Sequence, residues 1–262
     1  MANVIEIYDF LAEFAPVGLK MEFDNVGFLV GRGGNEISKI MVSLDITNDV
    51  ISEAICEGAG LIVSHHPLFF SLKTVTDSDT TGIKIIRLLE NGVAAVCMHT
   101  NLDAARGGVN DALAKAAGIA DDAGQAELFP EGSLPAYGRS GYLKNPCGLA
   151  EYLGRLKESL NTNGLRYHDA GRDVCKVAVV GGSGGGELIN AYAAECDTFV
   201  TADIKYDVFL EAKELGINLI DADHFCTENV VTGVLAEKLR AVFPEIGVIV
   251  SKKHGQTANF FS

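Results

Sequence analysis

The sequence predicts an α/β protein of two α/β domains, each with a mixed or mostly parallel sheet. Three observations predict it. Short apolar strands alternate with helices along most of the chain, the rhythm of βαβ units. That rhythm breaks across residues 121–145, which are rich in Gly, Pro and acids and show no long periodic segment. The length, 262 residues with 48% apolar composition, suffices for one large domain or two intertwined smaller ones.

In order along the chain, Val4, Ile5, Tyr8, Leu11, Ala12 and Ala15 have helical spacing over 4–15. Residues 40–45 form a short buried strand, and 47–57 a helix stopped by Gly58 and Gly60. Gly31 to Gly34 reads as a turn between strands. Strand 61–64 runs straight into His65, His66 and Pro67. Helix 82–91 ends at Asn91-Gly92, strand 93–98 follows, and 109–117 is helical. Beyond the break come helix 149–159, strand 175–180, the glycine-rich loop 181–186 and helix 188–194. Strand 198–201, helix 207–215, strand 218–221, helix 228–242 and strand 248–250 complete the second half.

Composition excludes several function classes. No apolar run approaches the roughly 18–20 residues that span a membrane. The N-terminal stretch carries acids and no Lys or Arg, unlike a secretory signal, so a cytoplasmic protein is expected. A formal net charge of −14 disfavours nucleic acid as a partner, and Lys252-Lys253 reads as a solvated turn. Six cysteines without a C-x-x-C pair point away from thiolate metal sites and disulfides. Cys97 and Cys226 are expected to pack as small hydrophobes.

Three segments place metal-type side chains at strand exits, where α/β sheets gather their ligands. His65-His66 leaves strand 61–64 before a proline-constrained turn, and the two rings could converge on a cation. The other reading is one structural and one exposed histidine. His99 and Asp103 follow strand 93–98, where a carboxylate is a hard oxygen ligand, or a helix cap. His224 and Glu228 stand four apart on one helical face after strand 218–221. They equally fit an ordinary helix start with Asp223 or Thr227 as cap. Four of the six histidines lie in these segments, and His168 and His254 read as surface or loop residues. The 181–186 loop could cradle a phosphate or simply make a tight turn.

With these residues in view, the chain resembles the Nif-three-like proteins, also known as GTP cyclohydrolase I type 2 homologues. The matching pieces are Asp24-Asn25-Val26-Gly27, Ser43-Leu44-Asp45 and Ser64-His65-His66-Pro67. His99-Thr100-Asn101-Leu102-Asp103 and Gly107-Gly108-Val109-Asn110 follow. The Gly181–Gly186 loop, Thr201-Ala202-Asp203-Ile204-Lys205-Tyr206, and His224 with Glu228 complete the set. The resemblance implies a two-domain α/β subunit, a homohexameric ring, and two divalent ions per subunit. Its ligand set maps onto His65, His66, Asp103, His224 and Glu228, with Glu228, and Asp103 as a second candidate, bridging the ions. Donors of imidazole and carboxylate suit Zn, Mn, Fe or Co without choosing among them.

The function so implied is a metal-dependent hydrolase acting on a small molecule such as a purine nucleotide, with His99 and Glu228 as catalytic residues. His99 could instead support a ligand. The alternative is a non-catalytic metal-binding scaffold or regulatory protein. Four positions depart from the family pattern: Phe23 stands for a Trp, Ala202 and Asp223 each for a Gly, and Asp207 for a His. Because His224 and Glu228 would have to reach the ions held by the earlier segments, the first domain is expected to be 1–125 completed by 225–262. The second is then 126–224.

Overall fold

The structure, a computed structural model, describes residues 2–120, 126–128 and 137–261. The chain divides into two compact units. One comprises residues 1–105 and 232–255, the other 106–231 and 256–262. The expected composition break at 121 is therefore not the boundary. Helix 109–117, placed by sequence in the first block, belongs to the second unit, as do the last residues.

In the first unit, α1 (Val4–Phe14) opens on a capping box in which Asn3 and Glu6 satisfy each other's backbone N–H groups. Strand β1 (Gly27–Val30) and β2 (Lys39–Ser43) follow, then α2 (Asn48–Glu57), capped by Thr47 and closed by left-handed Gly58. Strand β3 (Leu61–Ser64), α3 (Thr80–Glu90), β4 (Ala94–Cys97) and the short α4 (Thr100–Ala104) complete the first stretch. With β11 (Gly247–Val250) the sheet order is β1-β4-β3-β2-β11. All neighbours are parallel except β1, which runs antiparallel to β4. Strands β2, β3 and β4 are buried along nearly their whole length, which is why they read as continuous apolar runs. Met41, Ile62 and Ala95 pack against Val50, Ile51 and Ala54 of α2 and Leu88 of α3.

The second unit contains α5 (Val109–Ala116), β5 (Ala126–Glu127), β6 (Arg139–Cys147), α6 (Leu149–Leu160), β7 (Arg166–His168) and β8 (Val174–Val179). Next come α7 (Leu188–Ala193), β9 (Thr198–Thr201), α8 (Tyr206–Leu215), β10 (Asn218–Asp221) and α9 (His224–Val242). The unit boundary at 231/232 falls inside α9. The sheet order is β5-β6-β8-β9-β10-β7, with β8, β9 and β10 parallel and the other pairings antiparallel. Alternate side chains serve two cores. Val177, Val179, Val200 and Ile220 meet α5 and α6, while Ala178, Val180, Phe199 and Leu219 meet α7 and α8.

Strand β6 lies largely in the stretch where the sequence shows no long periodic segment. Its sequence, RSGYLKNPC, mixes Gly, Lys, Asn and Pro, and its register with β8 shifts between Tyr142 and Cys147. No period survives such a bulge. Fully buried Arg139 is held by Asp111 (Nε to Oδ1 2.6 Å). Strand β7 was missed as well, because three residues carry no period. His168, expected on the surface or in a loop, sits on that strand opposite Leu219. Among the described residues no helix is long and apolar enough to cross a membrane.

His254 lies in a loop, as expected, but it is tied down there. Its Nδ1 accepts the Leu44 N–H (3.0 Å), and it is half-buried. Burial lowers its pKa from the ordinary 6.5. The turn that carries it is fastened by Glu53, whose carboxylate accepts from Ser251 Oγ and from the N–H groups of Lys252 and Lys253. A depressed histidine pKa contributes stability above its unfolded value that is lost as pH falls. Urea unfolding should therefore show a contribution of about 1 kcal/mol from this hydrogen bond above pH 6.5, fading in more acid solution. His254→Ala should remove that acid-side slope; a variant with the wild-type slope would refute the assignment.

Candidate metal-binding side chains

In the first unit the parallel strands β2, β3 and β4 all end on one edge of the sheet, and each delivers polar side chains there. Asp45 follows β2, His65 and His66 follow β3, and His99 and Asp103 follow β4. Antiparallel β1 adds a fourth contribution. Its first residue, Gly27, pairs with Cys97 at the end of β4, so Asp24, just upstream, lands at the same edge. The exits stay stitched beyond the strands: His66 N–H donates to Leu44 O (2.9 Å), and Met98 N–H to Ser64 O (2.9 Å).

The rings of His65, His66 and His99 cluster, with centroids 5.1 to 5.5 Å apart. One ring nitrogen from each lies within 4.8 Å of the others, so this group could hold a metal ion. His65 is fully buried and its Nε2 faces Asp103 Oδ1 at 3.6 Å. Both members of the His65-His66 pair thus lie in one cluster, His65 buried and His66 half-buried. The structure also places His99 in that cluster, whereas sequence treated it as an acid–base group or a support.

Each imidazole is tied at Nδ1 to an oxygen. His65 Nδ1 meets Met98 O (2.9 Å), His66 Nδ1 meets Asp45 Oδ1 (2.7 Å), and His99 Nδ1 meets Asp24 Oδ1 (2.8 Å). An oxygen acceptor there places the ring proton on Nδ1 and the lone pair on Nε2, the arrangement that orients histidine ligands. Burial alone would raise the Asp24 carboxyl, but hydrogen bonds from His99 and Thr100 outweigh it and hold the group well below the usual range. Asp24 and Asp45 stand in segments that match the family motifs, but the linear sequence pairs neither with a histidine, since nothing in it shows which strand exits adjoin.

The second unit repeats the arrangement at the ends of β8, β9 and β10. The Gly181–Gly182 turn follows β8, Asp203 follows β9, and His224 begins α9 just after β10. Helix α9 starts four residues earlier than expected. Asp223 caps it, accepting the Cys226 N–H through Oδ1 (3.1 Å). His224 and Glu228 share one face, with Nε2 to Oε2 at 3.1 Å, and His224 Nδ1 meets Asp203 Oδ2 at 2.7 Å. Glu228 is 4% exposed. The Glu228 hydrogen bond, outweighing burial and joined by Asp203, raises the His224 pKa to about 9.

One departure from the family pattern gains a physical meaning. Asp203 and Asp223 both adopt positive φ (53° and 74°), the left-handed region that favours glycine. Asp tolerates it better than most residues. Asp223, standing for a Gly, occupies a backbone position where glycine is strain-free.

Three amides of the glycine-rich loop hold this half-site. Gly181 N–H donates to Asn110 Oδ1, Gly182 N–H to Thr227 Oγ1 and Gly184 N–H to Thr201 Oγ1. Those three donors are used within the protein, which argues against a phosphate cradle. A Cβ on Gly182, at φ +64°, would lie 2.2 Å from Glu228 Oε1. Glycine is needed there so that the carboxylate can lie against the backbone. Cys226 is buried in the second unit's core, and burial pushes its thiol up to about 11, as expected for a packing residue.

The Duf34/NIF3 (NGG1p interacting factor 3) family model matches residues 2–256. A protein of Clostridium perfringens called GTP cyclohydrolase 1 type 2 homolog is 36% identical over 95% of each chain. A Clostridium acetobutylicum protein of the same name is 34% identical, covering 94% of this chain and 92% of its own. A Bacillus cereus protein described as related to NIF3 has the same fold, with a TM-score of 0.89 at 23% identity over 100% of this chain and 99% of its own.

In metal-free protein, the His224 ring should titrate near pH 9 by NMR, and Glu228→Gln should bring it down toward 6.5 because its largest support is gone. A raised histidine pKa stabilises the fold fully below 6.5 and loses that contribution as pH climbs through 9. An unchanged titration in the variant would contradict the pairing. Gly182→Ala should have the same effect on His224 and lower the thermal midpoint.

Proposed function

The chain belongs to the Duf34/NIF3 family, and on that premise we propose that it is a dinuclear metal-dependent hydrolase. The observation that carries this reading is the set of imidazoles tied at Nδ1. His65 and His66, so tied, present Nε2 lone pairs, and His224 would do so once a cation displaced the proton it shares with Glu228; the family resemblance adds the carboxylates of Asp103 and Glu228 to this nitrogen and oxygen donor set. We assign His65, His66, Asp103, His224 and Glu228 as ligands of two divalent ions per chain. Zn, Mn, Fe or Co would suit these donors.

A bound pair of divalent ions would lower the pKa of a coordinated water and clamp developing negative charge. The chain's own part is orientation and proton movement. Asp24 holds the His99 Nδ1–H and so keeps Nε2 as the nitrogen that can take a proton. His99 is thus the candidate acid–base group. Glu228 is both ligand and catalytic carboxylate, kept in place by the close backbone at Gly182. The relatives' name, GTP cyclohydrolase 1 type 2 homolog, supports a purine nucleotide as substrate and hydrolytic ring opening as reaction.

We further assign self-association into a homohexamer, as the sequence resemblance implies. Helices α7 and α8 offer apolar surface that a subunit contact would cover: Tyr206 is 77% exposed, and Ile189, Tyr192 and Leu210 are about half-exposed. Light scattering should give a mass near six subunits of 27.8 kDa, and a mass near one would refute it.

Elemental analysis of protein purified without chelator should find about two divalent ions per chain. Removing a ligand from either unit, by His65→Ala or Glu228→Gln, should lower the content of both; two ions retained by either variant would exclude that ligand. With Mn or Zn added, turnover of a nucleotide panel should be lost by about a hundredfold or more in His99→Gln. Metal-loaded wild type silent on every nucleotide and phosphoester would favour a non-catalytic metal scaffold instead.

A further inference from the structure

We propose that Phe23 and Phe70 form an aromatic platform beside the histidine cluster, on which the planar heteroaromatic ring of the substrate stacks. This rests on the hydrolase reading and specifies the part of the substrate that the first unit recognises. Phe23 is 66% exposed and Phe70 56%. A single exposed apolar side chain is ordinary. Here two large rings lie together, with centroids 6.4 Å apart and planes tilted by 49°. The Phe70 ring is also edge-on to His99, at 5.9 Å. Exposed apolar area, aromatic contact and the proposed acid–base group thus occur at one place.

The backbone under both rings is fastened to the histidine cluster. Phe23 immediately precedes Asp24, whose carboxylate holds His99 Nδ1 and the Thr100 N–H. Lys20 Nζ donates to the carbonyls of Met21 and Asp24, and the Met21 N–H donates to Thr100 Oγ1. Phe70 follows Phe69, whose carbonyl accepts from Asn25 Nδ2 (2.8 Å). Each ring is therefore one residue from an anchor of the cluster. A platform ordered in advance binds a flat ligand without the entropy of ordering a loop.

The chemistry of the platform selects a ring. Phenylalanine has a π-face and no hydrogen-bonding group, so it holds a flat heterocycle by stacking alone. Residues 20–26 and 64–70 carry one Lys and no Arg, and that ammonium is already bonded to two carbonyl oxygens. These segments thus supply little for a phosphate. Ring polar atoms would instead face the imidazoles, where His99 can exchange a proton.

The test measures binding of guanosine, GTP and ribose 5-phosphate to wild type, Phe23→Leu, Phe70→Leu and the double variant, by calorimetry. Metal content and mass are read on the same samples. Leucine keeps apolar bulk but removes the π-face, so the fold should be retained. The double variant should lose about tenfold or more in guanosine affinity, with a similar loss for GTP. Binding of ribose 5-phosphate and metal content should not change. Guanosine affinity equal to wild type would overturn the platform, as would no guanosine binding by metal-loaded wild type. A changed mass with unchanged guanosine affinity would also overturn it, marking the rings as a subunit contact. If no metal loads, the hydrolase reading fails by itself, and guanosine binding to the metal-free protein still decides the platform.

Discussion

The hydrogen bond from an imidazole Nδ1 to an oxygen is the constraint on which the rest of the site depends. It occurs at His65, His66, His99 and His224, and in three of these the acceptor is a carboxylate: Asp45, Asp24 and Asp203. A histidine near others of its kind would otherwise choose its tautomer and ring angle freely. Fixing Nδ1 fixes both; at His65, His66 and His99 it leaves Nε2 as the coordinating or proton-accepting atom, while at His224 Nε2 meets Glu228. Asp24 is kept ionised by the hydrogen bonds it accepts, so it stays an acceptor for the His99 Nδ1–H.

Those carboxylates arrive by topology. In each unit, three adjacent parallel strands end at the same edge, so the residues just past them converge although they are far apart in sequence. The first unit adds antiparallel β1, which begins where β4 ends and brings Asp24 within 2.8 Å of a histidine 75 residues later. In the second unit the backbone is itself distorted to serve the side chains. Asp203 and Asp223 sit at positive φ, and Gly182 lies so close to Glu228 that no Cβ would fit. Local strain of this kind, at residues that touch ionisable groups, is what a site held in one geometry requires.

The elements that surround the site have simpler causes. Strands buried on both faces are written as continuous apolar runs, and their neighbouring helices as 3.6-residue patterns with side-chain or glycine caps. Thr47 and Gly58 bound α2, and Asp79 and Asn91 bound α3. The exposed rings of Phe23 and Phe70 break this economy, since apolar area of that size is ordinarily buried.

Much of this was legible in the chain. The sequence by itself determined the α/β class, most of the strands and helices, and the three segments that carry His65, His66, His99, Asp103, His224 and Glu228, because period and residue type are local properties. It did not reveal β6 or β7, whose short or bulged strands have no period, nor the unit boundary at 105/106, which depends on contacts and not on composition. It placed His254 in a loop without its bond to Leu44, 210 residues away. Tertiary structure alone decided which carboxylate stands behind which imidazole, that three amides of the 181–186 loop bond to neighbouring side chains, and that Asp223 occupies a glycine conformation. Each of these is a pairing or a dihedral, and a pairing is set by strand order and register, which the linear sequence does not state.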